Sequence, residues 1–345
     1  MKVFLATYQS VMMLKGGPRT QILETKAALE KLGVDVQLFD MWQTLKKGDC
    51  DVLHIFGSGI ATYHFAREVS KLGIKLVVSP IFFSSHSSQY IRCVLWFDKT
   101  ILKRLRGVWT DYGFVSEICK WADAVLPNTK KEAALIEQGL GIPKEKIHVV
   151  PNGVSERFYN ADATLFVKTY GISNFILNVG HIGPGRKNVL RLVRALNRID
   201  KPAVIIGRTE AGVELDLIRK EAGKNILLLD NIPNDSDMLA SAYAACDVFA
   251  LPSLFETPGI AALEAGLAGA KVVITKYGGT EEYFTNYAEY VEPISINSIE
   301  EGIRKAISKP KDKKLCEHIR ENYLWVKVGE MTLEAYKIIA YLSEL

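Results

Sequence analysis

The feature that most constrains the fold is an alternation of short apolar runs with amphipathic stretches, which restarts once along the chain. In the first half, β-rich runs fall near Val3–Thr7, Asp35–Phe39, Val52–Phe56, Leu76–Ser79, Ala124–Leu126 and His148–Val150. In the second they fall near Phe175–Val179, Ala203–Ile206, Ile226–Leu229, Val248–Ala250, Val272–Ile274 and Tyr290–Val291. They are short, continuous and rich in Val, Ile and Leu, as strands covered on both faces are. The stretches between them have helical spacing; Ile22, Ala27, Ala28, Leu29 and Leu32 are expected on one buried face. Strand–helix alternation predicts an α/β chain with parallel, doubly wound sheets.

The restart follows the turn Pro151-Asn152-Gly153 and a polar stretch, Asn160 to Thr164, so a linker is expected near 154–172. The expected division is 1–160, 161–320 and a helical tail, 321–345, with Trp325, Val328, Tyr336, Ile339 and Tyr341. That tail packs on its own half or crosses back onto the first. Two Rossmann-like halves would face a central cleft at the carboxyl ends of their strands, where ligands bind in such sheets.

A length of 345 residues suits about two domains. With 48% hydrophobic and 24% charged residues, the chain has enough apolar material to exclude disorder as its main state. No apolar run approaches the ~18 residues of a membrane-spanning helix. The opening MKVFLATY reads as a first strand, not a signal peptide. Cys50, Cys93, Cys119, Cys246 and Cys316 are odd in number and scattered, without Cys-x-x-Cys. This argues against a disulfide framework and for a cytoplasmic protein. The six histidines have no metal-ligand spacing. Residues 1–160 carry 21 Lys and Arg against 15 Asp and Glu, whereas residues 161–345 carry 22 against 24. The halves are therefore expected to face different things.

The segment 248–282, VFALPSLFETPGIAALEAGLAGAKVVITKYGGTEE, carries the chemistry. A strand ends at Leu251 and a loop brings in Glu256. Pro258 suits the first position of a helix, where its missing N–H is not needed. Gly259 and Ile260 would then present backbone N–H groups at a helix N-terminus, an anion site. Glu264 falls six residues into that helix, about 9 Å along its axis at 1.5 Å per residue. A diphosphate on the N-terminus would leave its ribose beside Glu264, which can accept from both ribose hydroxyls. Glu256 lies on the other side of the phosphates. The bland alternative is a capped amphipathic helix with two solvated glutamates; the small-residue turn Gly278-Gly279-Thr280-Glu281-Glu282 weighs against it.

The Glu256-x7-Glu264 pair in ETPGIAALEA, followed by GAKVVITKYGGTEE, resembles the donor-site signature of the retaining glycosyltransferases of family four, which have the GT-B fold. ADAVLPNTKKEAALIEQGLGIPKEKIHVVPNGV and ILNVGHIGPGRKNVLRLVRAL resemble further stretches of that family in the same order. The resemblance implies a hexosyltransferase that moves a sugar from a nucleotide-diphosphate donor, UDP- or GDP-linked, to an acceptor hydroxyl with retention and without a metal. It places Lys187 on the donor diphosphate, Glu256 near the transferred sugar, Glu264 on the ribose, and Pro258, Gly259 and Ile260 at the phosphates. Gly16 and Gly17 fall in the loop that lets the donor sit against the first domain. The tail with Trp325 resembles the family's last helix, which crosses back to the first domain. Three positions depart from the family. His181 stands where an Arg is usual, with Arg186 beside Lys187 as a second positive charge. Ser155 replaces an Asp in the turn after Asn152-Gly153-Val154. A His expected after the fourth strand is absent, leaving His86 as the nearest on the acceptor side.

On this reading Lys187, Arg186 (or a charged His181) and the helix N-terminus stabilise the leaving diphosphate. Glu256 holds sugar hydroxyls rather than forming a covalent intermediate. The alternatives are a nucleotide-sugar epimerase of similar architecture and a non-catalytic sugar-nucleotide-binding protein. The acceptor is a glycan, a lipid-linked precursor or another hydroxyl compound; no nucleic-acid module is present. Asp49-Cys50-Asp51 and Asp235-Ser236-Asp237 are read as structural, the second capping a helix. His54, His64 and His148 are read as structural too. In 94–109, VLWFDKTILKRLRGVW, basic residues interleave with aromatics. Two readings stay open: a helix whose apolar face meets the core, slightly favoured, and peripheral contact with the inner face of a membrane.

Overall fold

The apolar runs form parallel strands in two separate sheets. The computed structural model describes residues 1–13, 16–102, 109–183, 185–230 and 232–341. It divides the chain into two units, 1–153 with 325–345, and 154–324.

In the first unit, β1 (Lys2–Thr7), β2 (Asp35–Leu38), β3 (Val52–Phe56), β4 (Lys75–Ser79) and β5 (Ala124–Val125) lie in the order β2-β1-β3-β4-β5. Every pair is parallel, so no connection is a tight hairpin; all but the one from β2 to β3 carry helix. The strand order reverses between β1 and β3. Both lead into helices at this point, Gly17–Lys31 behind Gly16 and Ile60–Lys71 behind Gly59. In the first of these, Gln21, Ile22, Thr25, Ala28 and Leu29 are buried, whereas Ala27 faces solvent. The expected sixth strand, His148–Val150, does not form. Ile147 makes one bridge to Val125, and the N–H groups of His148 and Val150 donate to the carbonyls of Val125 and Pro127. Pro127 has no N–H to return, so no ladder grows there.

In the second unit, β6 (Ile176–Val179), β7 (Ala203–Ile206), β8 (Ile226–Leu229), β9 (Val248–Leu251), β10 (Lys271–Thr275) and β11 (Ala288–Val291) lie in the order β11-β10-β9-β6-β7-β8. The reversal falls between β6 and β9. These strands pair only at Ile176–Val248 and Leu177–Phe249. Beyond that point the buried Asn178 side chain takes over, donating from Nδ2 to the Ala250 carbonyl at 2.7 Å. The strands therefore part where their loops begin.

The boundary differs from the expected one. It lies at 153/154, and the stretch 154–172 is not a linker. It holds a 3-10 turn, Glu156–Phe158, and a helix, Thr164–Tyr170. Phe158 and Phe166 are buried in the second unit's core, and Phe166 N–H donates to Ser241 Oγ at 2.9 Å. The tail is not one helix either. Lys314–Asn322 ends, Val154 N–H donates to the Tyr323 carbonyl at 2.8 Å, and a new helix runs Trp325–Tyr341. Residues 321–324 thus belong to the second unit. The helix from Trp325 belongs to the first; residues 342–345 and the Tyr341 side chain lie outside the described set.

That last helix completes the first unit's core. Trp325, Val328, Ala335, Tyr336 and Ile339 share one cluster with Val3, Leu5, Ile22, Ala28 and Leu29. Its polar tie is His54 on β3. His54 Nδ1 lies 2.7 Å from Tyr336 Oη and Nε2 lies 2.9 Å from Ser79 Oγ, while the ring stacks on Phe56. Burial pushes the imidazole down to about 3. The folded chain therefore refuses a proton that the unfolded chain binds below about pH 6.5. The stabilisation is whole above that pH and is lost towards pH 3, at about 1.4 kcal/mol per pH unit. His54→Gln should lower the melting temperature at pH 8 and flatten its fall between pH 6.5 and pH 4. Parallel melting curves for parent and variant over that range would refute the assignment.

Candidate active site

The loop after β6 runs to a 3-10 turn, Gly185–Lys187, and then to Asn188, which takes a left-handed φ of +58° before the helix Val189–Leu196. Asn tolerates this conformation because its short polar side chain finds local partners. Here the side chain is buried. Its Nδ2 donates to the carbonyls of Pro252 (2.8 Å) and Pro293 (2.7 Å), and its Oδ1 accepts from Arg191 at 2.9 Å. One residue thus ties the β6 loop to the loops following β9 and β11. Leu254 N–H donates to the Arg186 carbonyl at 2.9 Å and tightens the same junction.

This junction sets Lys187 against Glu256. Lys187 Nζ lies 2.6 Å from Glu256 Oε1, and Arg186 lies 3.7 Å from the same oxygen. Glu256 is buried. Burial alone would raise its pKa, but the nearby Lys187 and Arg186 charges outweigh that and hold the carboxyl below the usual range. The Arg186 guanidinium also donates to the Phe255 carbonyl at 3.3 Å and sits over the Phe255 ring.

The backbone of Glu256 is held from its other side. Its N–H donates to the Tyr277 carbonyl at 3.1 Å, and its carbonyl accepts from Gly279 at 3.0 Å. Between them Gly278 sits at φ +96°, and a Cβ there would lie 1.9 Å from the Glu256 carbonyl oxygen. The paired glycines after β10 therefore serve to dock the Glu256 loop.

Pro258 is not the first residue of the helix. It follows a cis peptide bond from Thr257, and the helix runs Ile260–Leu267. Gly259, at φ +87°, breaks the helical run after Pro258 and caps the helix. The first N–H groups of the helix, at Ile260 and Ala261, have no intrahelical acceptor. Glu264 is then about 6 Å along the axis from Ile260, not 9 Å. Tyr243 Oη donates to Glu264 Oε2 at 2.7 Å. Tyr243 is wholly buried; burial first, then the Glu264 charge, push its pKa well up, so it stays a donor.

His181 is exposed on the β6 loop, just before Ile182, whose N–H donates to the Arg208 carbonyl at 2.9 Å. The other sequence candidates are in the first unit. Gly16 caps the helix that Gly17 begins, at its strand-order reversal. His86 is exposed after β4, its Nδ1 2.9 Å from Tyr112 Oη and its ring stacked on Tyr90. Ser84 Oγ lies 2.9 Å from the same Tyr112 Oη. Sequence reading missed Asn188, Tyr243, Ser84 and Tyr112. An Asn before the apolar run Val189–Leu196 is a legible helix start; Tyr243 carries no local signal, since its partner is 21 positions away. The Asp-x-Asp strings are structural: Asp49 and Asp51 accept from the N–H groups of Lys46 and Lys2, and Ser236 caps its helix. Among the described residues no cluster of three His, Cys, Asp or Glu is placed to hold a metal.

Two family models match, "Glycosyltransferase Family 4" over residues 37–158 and "Glycosyl transferases group 1" over residues 167–323. The chain is a glycosyltransferase of this type. It is 24% identical over 322 residues to the MMP alpha-(1->4)-mannosyltransferase of Mycolicibacterium hassiacum, spanning 85% of this chain and 71% of that protein. It spans only 55% and 42% of two further curated relatives. In fold, the glycosyltransferase is similar to the sucrose-phosphate synthase of Thermosynechococcus elongatus (TM-score 0.77, 15% identity, 99% and 100% of the two chains). It is also similar to Anabaena HepE in complex with UDP and glucose (0.64, 17%, 100% of each). Both of its units thus have the α/β sheets of the GT-B glycosyltransferases.

The docking at Gly278 yields a direct check. Gly278→Ala forces both a left-handed Ala and a clash with the Glu256 carbonyl. It should cost on the order of 3 kcal/mol, read as a shift in denaturant midpoint. An unchanged midpoint would show that the two loops do not interlock as described.

Proposed function

We propose that this glycosyltransferase takes a nucleoside diphosphate sugar as donor and transfers the sugar, with retention, to an acceptor hydroxyl. The observation that carries this reading is the Lys187–Glu256 pair beside the N-terminus of the helix Ile260–Leu267, at the strand-order reversal of the second unit. Ligands of open α/β sheets bind at such reversals. Arg186 and Lys187 bring two positive charges against the single Glu256, so the site has a surplus for a diphosphate. As the glycosidic bond breaks, charge grows on the leaving phosphates. Lys187, Arg186 and the N–H groups at Ile260 and Ala261 stabilise it without a metal. His181 lines the same loop.

Glu264 accepts from ribose hydroxyls, with Tyr243 fixing its orientation. Glu256 serves the transferred sugar; its near oxygen is engaged by Lys187, which disfavours a covalent glycosyl intermediate and favours attack from the face the diphosphate leaves. On the first unit, Gly16 and Gly17 supply the close-approach loop. His86, oriented by Tyr112, serves the acceptor, whether a glycan, a lipid-linked precursor or another hydroxyl compound. The UDP and glucose in the HepE complex are in keeping with a nucleoside diphosphate sugar as the class of donor.

Calorimetry against UDP, GDP, ADP and TDP and their common sugar conjugates tests this. One base should bind clearly best. Lys187→Ala should weaken the diphosphate about 10- to 100-fold, the weight of a charge-assisted hydrogen bond, with little effect on the bare nucleoside. Glu264→Ala should weaken the nucleoside about tenfold. Parent-like affinity in both variants removes the donor assignment. Incubation without acceptor separates the alternatives: a rearranged free sugar indicates an epimerase, and binding without turnover on any acceptor indicates a binding protein.

A further inference from the structure

The helix Ser88–Thr100 in the first unit turns an aromatic stripe outward. Ile91 and Leu95 are buried and seat the helix on the core. Cys93, Trp96, Phe97 and Thr100 are exposed and share the opposite face at helical spacing, with Ile101 exposed just beyond. Trp96 is 65% exposed and Phe97 46%. The favoured sequence reading, in which this stretch turns its apolar residues to the core, therefore fails for Trp96 and Phe97. Two buried positions suffice to anchor the helix, and the larger side chains are left outside.

The charges on that helix are sorted as well. Its one carboxylate, Asp98, is half-buried and accepts from Thr110 Oγ1 at 2.9 Å. The exposed charges are Arg92 and Lys99, both cations. Lys103, Arg104, Leu105 and Arg106, which continue the stretch in sequence, lie outside the described residues, and the face does not depend on them.

An exposed run of aromatics needs a partner. Trp and Tyr suit the boundary between headgroups and acyl chains, where one end of the ring is wet and the other apolar. Lys and Arg at that boundary are drawn to anionic lipids. A second copy of the chain is the poorer occupant, because a two-fold contact sets a face against itself. Here that would oppose Arg92 and Lys99 to their own copies, with no acid on the face to offset them. We propose that the outer face of Ser88–Thr100, centred on Trp96 and Phe97, is a docking surface for an anionic bilayer. No helix among the described residues is long and apolar enough to cross a membrane, so this is contact with a surface. It reaches past the proposed function and does not depend on the donor assignment.

Vesicle flotation of the full chain tests it, with phosphatidylcholine vesicles and with vesicles containing about one-third phosphatidylglycerol. The parent should float with the anionic vesicles, less as salt rises. Trp96→Ser with Phe97→Ser should cut partition at least tenfold, and Arg92→Glu with Lys99→Glu should abolish the preference for anionic lipid. All four side chains are exposed, and far-UV circular dichroism and melting confirm that the variants fold. A parent that stays with the pellet at low salt overturns the proposal. So does a Trp96/Phe97 variant that floats like the parent. A dimer in sedimentation equilibrium that this variant dissociates assigns the face to a second copy instead.

Discussion

A carboxylate buried as deeply as Glu256 cannot stay ionised unless the fold supplies a counter-charge. That requirement organises the second unit. Its cation comes from Lys187, 69 positions earlier, on a loop from a different strand. To deliver it, the β6 loop must end where the β9 loop passes, and Asn188 enforces this through the Pro252 and Pro293 carbonyls. The β10 loop must press against Glu256 from behind, and only glycine at 278 leaves room. Four loops converge on one ion pair. Removing one partner of such a pair costs about 3–5 kcal/mol, because the other is left charged and buried. The pair is therefore a structural keystone as well as the electrostatic floor of the proposed phosphate site.

The two glutamates of the 256–264 motif are alike in sequence and unlike in environment. Glu256 meets two cations at the end of a strand loop. Glu264 stands on a helix, half-buried, with a neutral phenol on one oxygen. A cation beside a carboxylate competes with sugar or ribose hydroxyls for its lone pairs; a phenol fixes the group and leaves its charge in place. The environments fit the proposed division of labour, in which Glu264 recognises ribose hydroxyls while Glu256 balances the two cations and keeps its remaining lone pairs for the transferred sugar. Spacing alone carries no such distinction, because it depends on residues at 186, 187 and 243 that local pattern does not connect to the motif.

What was legible in the sequence follows from the range of the interactions concerned. Ten of the twelve expected strands form, most of them on hydrophobic runs covered on both faces and Asp35–Leu38 as an edge strand with only Val36 buried; Ala124–Leu126 survives as two residues, and His148–Val150 failed because Pro127 ends the ladder before it. The boundary was misplaced because the polar run at 160–164 hides Phe158 and Phe166, whose burial is a tertiary fact. The helix start at Ile260 was missed because proline preference at a first turn is a local statistic, whereas Gly259 answers to its own left-handed backbone. Lys187 and Glu256 were singled out separately, but their pairing needed the sheet order, which puts β6 beside β9 across intervening β7 and β8.

The same sheet logic explains why the first unit is finished by the end of the chain. Its core has a vacancy over β1 and the helix Gly17–Lys31, and the residues that fill it start at Trp325. The contact between His54 and Tyr336 spans 282 positions. Loop-closure entropy grows only logarithmically with length, so this separation adds little to the thermodynamic cost. It matters more for kinetics, since non-local contacts form late. The intervening second unit folds as its own core and shortens the effective loop. What remains is specificity: an apolar helix such as Trp325–Tyr341 has many places to bury itself, and a buried imidazole needing partners at both nitrogens has few. Tyr336 and Ser79 meet that need together, so a register slip of the last helix would leave His54 Nδ1 unpaired in the core, a penalty of about 1–3 kcal/mol.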